Sequence, residues 1–132
     1  VILIGIDEKQ VSLIKRQDKV LYLTDDDLEN REVWKKVDDL LRQYPLYISI
    51  DKDILDKHYI ETNWSQGHMK LGTLEHMLGI IIRNQKVLGI DICGECDTNM
   101  PLPEYMEDEE KNGELNKELY NFLLKRLKKY SL

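Results

Sequence analysis

Hydrophobic residues along the chain fall into short strand-like runs alternating with helix-like stretches. Val1–Ile6 (VILIGI) is a continuous apolar, β-branched run ending at Asp7, and it predicts a strand buried on both faces. Glu8 to Arg16, with Val11 and Ile14, predicts a short helix, and Lys19–Leu23 a second strand. Thr24-Asp25-Asp26-Asp27 reads as a helix start, with Thr24 as cap and acids at the positive end of the dipole. Trp34, Val37, Leu40, Leu41 and Tyr44 follow at helical spacing until Pro45 stops them. Leu46–Ile50 (LYISI) is a third strand, running straight into an acidic loop from Asp51 to Asp56. Thr73 predicts the cap of a helix that turns Leu74, Met77, Leu78, Ile81 and Ile82 to one side. Lys86–Ile92 is a fourth strand. The stretch 93–111, with Pro101, Pro103 and many acids, reads as an irregular loop. Asn112-Gly113 then opens a last helix with Leu115, Leu119, Phe122, Leu123, Leu127 and Tyr130 inward.

Strands alternating with amphipathic helices predict an α/β fold, a parallel sheet with helices on both faces. Residues 1–132 read as a single α/β segment with no repeat and no linker. In such sheets functional groups gather beyond the carboxyl ends of the strands.

Composition narrows the function classes. The 132 residues are 42% hydrophobic and 33% charged, which predicts a folded domain rather than a disordered tail. The net charge of −6 argues against a nucleic-acid partner, because phosphate binding needs surplus cations. No run is apolar and long enough to cross a bilayer, and Val1–Ile6 lacks the basic flank of a signal peptide. Cys93 and Cys96 lie too close to staple a small secreted domain. These readings predict a cytoplasmic protein with no membrane partner.

Three segments carry candidate chemistry. Asp51 and Asp53 stand two apart at a strand end, where an extended backbone points both to one side. Carboxylates held that close raise one pKa unless a cation, such as Mg or Mn, sits between them. An acidic turn that merely solubilises the loop explains the same spacing. After the fourth strand come Asp91, costly inside an apolar run unless bonded, and Glu95, in the same rim region as Asp51 and Asp53. Cys93 and Cys96 form a Cys-x-x-Cys, but acids follow it, and one such pair is half a structural zinc site. The polar stretch 62–69 supplies Asn63, Trp64 and His68 as pocket-wall candidates, while His58 and His76 read as surface residues.

The order of these features resembles the arginase and agmatinase (ureohydrolase) family. Ser49-Ile50-Asp51-Lys52-Asp53-Ile54-Leu55-Asp56 is similar to its Ser-x-Asp-x-Asp-x-Leu-Asp motif. Gly89-Ile90-Asp91-Ile92-Cys93-Gly94-Glu95 is similar to its Asp-Ile-x-Glu strand end, with Gly94 as an extra residue. Gly67 and the Thr73 helix resemble its Gly-Gly-Leu-Thr helix start, with His68 at the second glycine. The resemblance implies a three-layer α/β/α fold, of which this chain is the C-terminal part. It further implies a hydrolase in which two manganese ions activate water against a guanidinium carbon. Asp51 and Asp53 match the two late metal ligands, and Glu95 matches the acid that holds a small cationic guanidino substrate. The family's Gly-Gly-Asp-His and Asp-Ala-His-x-Asp segments, which supply the other ligands, have no counterpart here. The chain alone is therefore expected to be inactive, and Lys52 places a positive charge between the two aspartates in sequence. Homo-oligomers are frequent in that family. Two other classes stay open: a non-catalytic module of the same fold, and a thiol redox protein using Cys93 and Cys96.

Overall fold

The computed structural model describes residues 1–62 and 66–130 and shows a mixed α/β chain. It divides into two compact units, Val1–Gln43 and Tyr44–Leu132. The strands pair as two separate two-stranded parallel sheets, one in each unit, and not as one four-stranded sheet.

In the first unit β1 (Ile2–Ile6) pairs with β2 (Leu21–Thr24), aligning Ile2 with Leu21 and Ile4 with Leu23. A short helix α1 (Glu8–Val11), capped by the Asp7 carboxylate, lies between them. β1 is not buried on both faces as its composition suggests: Leu3 is exposed and its other residues are only partly covered. The helix expected from Thr24 is split. The Asp27 carboxylate accepts from both the backbone N–H and the hydroxyl of Thr24, closing a 3-10 turn over Asp25–Glu29. Asn30 then caps a new helix, α2 (Arg31–Leu41), accepting from the N–H groups of Glu32 and Val33. Trp34 ties the two pieces by donating its indole N–H to the Leu28 carbonyl at 2.5 Å.

The second unit has β3 (Leu46–Asp51), α3 (Leu71–Asn84), β4 (Val87–Cys93) and α4 (Leu102–Tyr130). The β3–β4 register sets Tyr47 opposite Gly89, Ser49 opposite Asp91 and Asp51 opposite Cys93. Ile50 is buried, whereas Tyr47, Ser49, Asp51, Asp91 and Cys93 are exposed, so one face of this pair is open to solvent. Helices on both faces of a sheet are therefore not what this unit shows. Its core is Leu55, Ile60, Leu71, Leu74, Leu78 and Ile82 with Leu115, Leu119 and Leu123 of α4.

Two helix boundaries differ from the sequence expectation. α3 begins at Leu71 rather than at Thr73, after Lys70, which makes no side-chain cap. α4 runs unbroken through Asn112-Gly113 and starts at Leu102, so half of the expected loop is helix. Pro103 suits its first turn, where a missing N–H costs nothing. The buried positions of α4 are Asp108, Asn112, Leu115, Leu119 and Leu123, at helical spacing. The first two are polar, so hydrophobic periodicity is silent where the helix begins.

Candidate functional site

β3 delivers Asp51 to the carboxyl end of its sheet, and the backbone then leaves the extended form. Lys52–Ile54 is a 3-10 turn whose start is capped by the Asp51 carboxylate, which accepts from the Asp53 N–H at 3.3 Å. The turn brings the two acids together by a route other than strand alternation. Burial, and then the charge and hydrogen bond of Asp51, push the Asp53 carboxyl up to about 6. Asp53 thus keeps its proton to higher pH than an ordinary aspartate.

Two glycines hold this turn. Gly67 presses on Ile54 so closely that an added Cβ would lie 2.1 Å from the Ile54 carbonyl oxygen. Its N–H donates to the Asp53 carbonyl at 2.7 Å, and Met69 donates to Ile54 at 3.1 Å. Gly94 adopts φ +87° just after β4, and a Cβ there would meet Asp51 Oδ1 at 2.6 Å. Gly94 thus turns the chain over Asp51 in a conformation only glycine takes readily.

Lys52 does not lie between the aspartates. Its side chain is wholly buried and points to α4, where Nζ donates to Asn112 Oδ1 at 2.5 Å and Asn116 Oδ1 at 2.7 Å. It also pairs with Glu95 Oε1 at 3.5 Å. Asn112 Nδ2 donates to Glu95 Oε2 at 2.7 Å, so both oxygens of Glu95 are engaged while its side chain stays largely exposed. A buried ammonium is tolerated only with such partners. This network was not legible in the sequence because Asn112-Gly113 resembles a turn; that Asn112 is buried and Asn116 half-buried beside Lys52 emerges only once α4 is seen to be continuous.

On the open face of the sheet Asp91 is exposed rather than buried. It accepts from Tyr47 Oη at 2.9 Å and Ser49 Oγ at 2.7 Å. The Ser49 bond first, then the Tyr47 bond, holds its carboxyl below the usual range. The thiols of Cys93 and Cys96 are both free and both pushed up, by desolvation first and then by neighbouring acids, Asp51 for Cys93 and Asp108 for Cys96.

Of the other predicted residues, His68 is exposed beside Gly67, and Asn63 and Trp64 lie outside the described residues. Among the described residues no three His, Cys, Asp or Glu side chains converge to hold a metal ion. Asp51 and Asp53 are two carboxylates, and a hard divalent cation held by them would need further ligands from elsewhere. Among the described residues, no helix is long and apolar enough to cross a membrane.

No family model matches the chain, and no solved structure matches it. An uncharacterised protein of Thermotoga maritima is 43% identical over 65 residues, covering 48% of this chain and 25% of that relative. The matched stretch thus spans a quarter of the relative's length.

Proposed function

We propose that this chain contributes Asp51 and Asp53 as ligands to an arginase-like, manganese-dependent hydrolase acting on a guanidino or related C–N bond. The supporting observation is the carboxylate pair at the end of β3, with the Asp53 carboxyl raised to about 6. Manganese, when bound, supplies a water acidic enough to act as nucleophile at neutral pH. Asp51 orients the pair by capping the turn, and Gly67 and Gly94 hold the turn against neighbouring backbone. Glu95, next to Gly94, is the acid that the resemblance assigns to the substrate's nitrogen end. The reading predicts that Asp51→Ala and Asp53→Ala each abolish manganese retention by the full-length protein. Unchanged metal content in both variants sinks it.

A non-catalytic module of the same fold is the second reading, favoured by the prior engagement of Glu95 by Lys52 and Asn112. Full-length protein that takes up no metal from manganese-containing buffer supports it. Thiol redox chemistry is disfavoured, because a reactive cysteine needs a lowered pKa and both thiols here are raised. A thiol titration showing one strongly acidic cysteine reverses that judgement.

A further inference from the structure

We propose that the N-terminal part of α4, Leu102–Lys111, is a strap that unlatches from the second unit while the rest of the helix stays docked, leaving a shorter helix that begins at Asn112. α4 is one continuous rod, but its two parts are held by different chemistry. Beyond Asn112 the buried positions are Leu115, Leu119 and Leu123. In the strap the buried position is Asp108, while Leu102 and Met106 are exposed. Burial of an apolar face supplies most of a helix's docking energy, and here that burial starts only after the strap ends.

What the strap has instead is polar and partly opposed. Asp108 Oδ1 accepts from the Glu61 N–H at 3.0 Å, which fastens the strap to the segment after Ile60. Asp108 Oδ2 is buried with no partner among the described residues, so docking desolvates a carboxylate that is only half satisfied. Glu104, Glu107, Asp108, Glu109 and Glu110 share the strap with one base, Lys111, and Glu104 and Asp108 are like charges one turn apart. The Lys111–Glu107 ion pair, at 3.1 Å, is solvent-exposed and adds little.

The opening has a built-in stop. Asn112 Oδ1 accepts from Lys52 Nζ at 2.5 Å, and Asn112 Nδ2 donates to Glu95 at 2.7 Å. Unwinding through Asn112 strips a partner from a wholly buried ammonium, so it halts there. Asn112 is also equipped to start a helix. Asparagine is among the strongest N-cap residues, and Glu114 follows in what becomes the first turn, at the positive end of the dipole. An amide oxygen has two lone pairs, so Oδ1 can keep Lys52 and accept a freed backbone N–H. The helix start that Asn112-Gly113 encodes in the sequence is the start of the unlatched form.

Native-state hydrogen exchange of the full-length protein, followed amide by amide by NMR, tests this. A helical N–H donates to the carbonyl four residues back, so the amides of Met106 to Leu115 depend on strap carbonyls. They are expected to share one opening and to exchange at least about a hundredfold faster than those of Leu119 and Leu123, with little dependence on added denaturant. Glu110→Pro, at an exposed position, is incompatible with the continuous rod and compatible with the unlatched form. It should erase the strap's helical chemical shifts, leave Leu119 and Leu123 protected, and lower the melting temperature by no more than about 5 °C. Asn112→Ala removes both stop and cap and should carry the fast exchange past Leu115 to Glu118. Protection that is uniform from Met106 to Leu123, or that rises gradually along the helix without a step after Leu115, overturns the proposal. So does a Glu110→Pro protein that loses protection at Leu119 and Leu123. A step that stays after Leu115 in folded Asn112→Ala overturns the role of Asn112, and the first two measurements decide the matter if that variant does not fold.

Discussion

The two units begin alike, each with a parallel strand pair, and differ in what packs on it. In the first, the strands are linked through the one-turn α1, and only Leu23 and Val37 are buried apolar residues. In the second, α3 connects the strands and α4 packs on α3, and a continuous core runs from Ile50 to Leu123. The comparison shows why a parallel pair is a weak element by itself. Its backbone bonds are no better than those of an antiparallel hairpin, and it needs helices long enough to bury one face. The candidate chemistry lies in the unit with that cover. Precise placement of Asp51, Asp53 and Lys52 requires neighbours that do not move.

Truncating the helix core gives the largest test of this contrast. Leu119→Ala removes a wholly buried side chain and should cost about 2–5 kcal/mol in the second unit. Leu23→Ala, with a smaller core around it, should cost less and leave the second unit's transition in place. Denaturant unfolding followed by amide hydrogen exchange separates them. Equal losses, or collapse of both units from Leu23→Ala, break the comparison.

Gly67→Ala comes next. A methyl group 2.1 Å from the Ile54 carbonyl forces the Asp53 turn open, at a cost of about 1–3 kcal/mol. It should also weaken manganese binding more than Gly113→Ala, a site where an added Cβ meets nothing. Calorimetric titration of both variants checks it; equal affinities show that the turn's geometry does not govern the pair.

A smaller effect concerns pH. The Asp53 carboxyl is raised from 3.8 to about 6 on folding, so the folded protein holds this proton more tightly than the unfolded chain. The group's effect on stability is therefore most favourable below about pH 4 and declines as pH rises toward 6. Asp53→Asn should raise the melting temperature at pH 7.5 and give no such gain near pH 3.5. Manganese affinity should fall about tenfold per pH unit below 6, because the metal must displace that proton. Pairing metal titrations with thermal melts across this window tests both signs; a melting-temperature gain for Asp53→Asn that is the same at all pH values contradicts them.

The smallest effect is expected at Asp108, a buried residue of α4. Its Oδ1 accepts from the Glu61 N–H at 3.0 Å, and its Oδ2 has no partner among the described residues. Asp108→Asn keeps the acceptor and removes the buried charge, so it should stabilise the second unit slightly, by about 1 kcal/mol or less. A clear loss of stability would show that the carboxylate has a partner that the second unit depends on.

The strands and the core face of α3 were legible in the sequence because their apolar spacing matches the geometry of a strand or helix. The Asp51–Asp53 pair was legible as a candidate for the same reason: two acids at the end of an apolar run. The start of α4 was not legible. Its inward positions there are Asp108 and Asn112, and polar residues at core positions carry no hydrophobic signal. The split at Asp25–Glu29 was hidden too, because Thr24 and Asn30 both satisfy capping chemistry and only geometry shows that each is used.

The sequence alone determined the alternation of strands and helices and the acids at the strand ends, since these follow from local spacing and burial. Only the tertiary structure decided that the strands pair as two sheets. It also turned Lys52 from a charge between two aspartates into a buried anchor on α4. Lys52 is adjacent in sequence to both aspartates and separated by 60 positions from Asn112. Hydrogen-bond satisfaction of a desolvated ammonium depends on which helix lies within reach, and no local pattern records that.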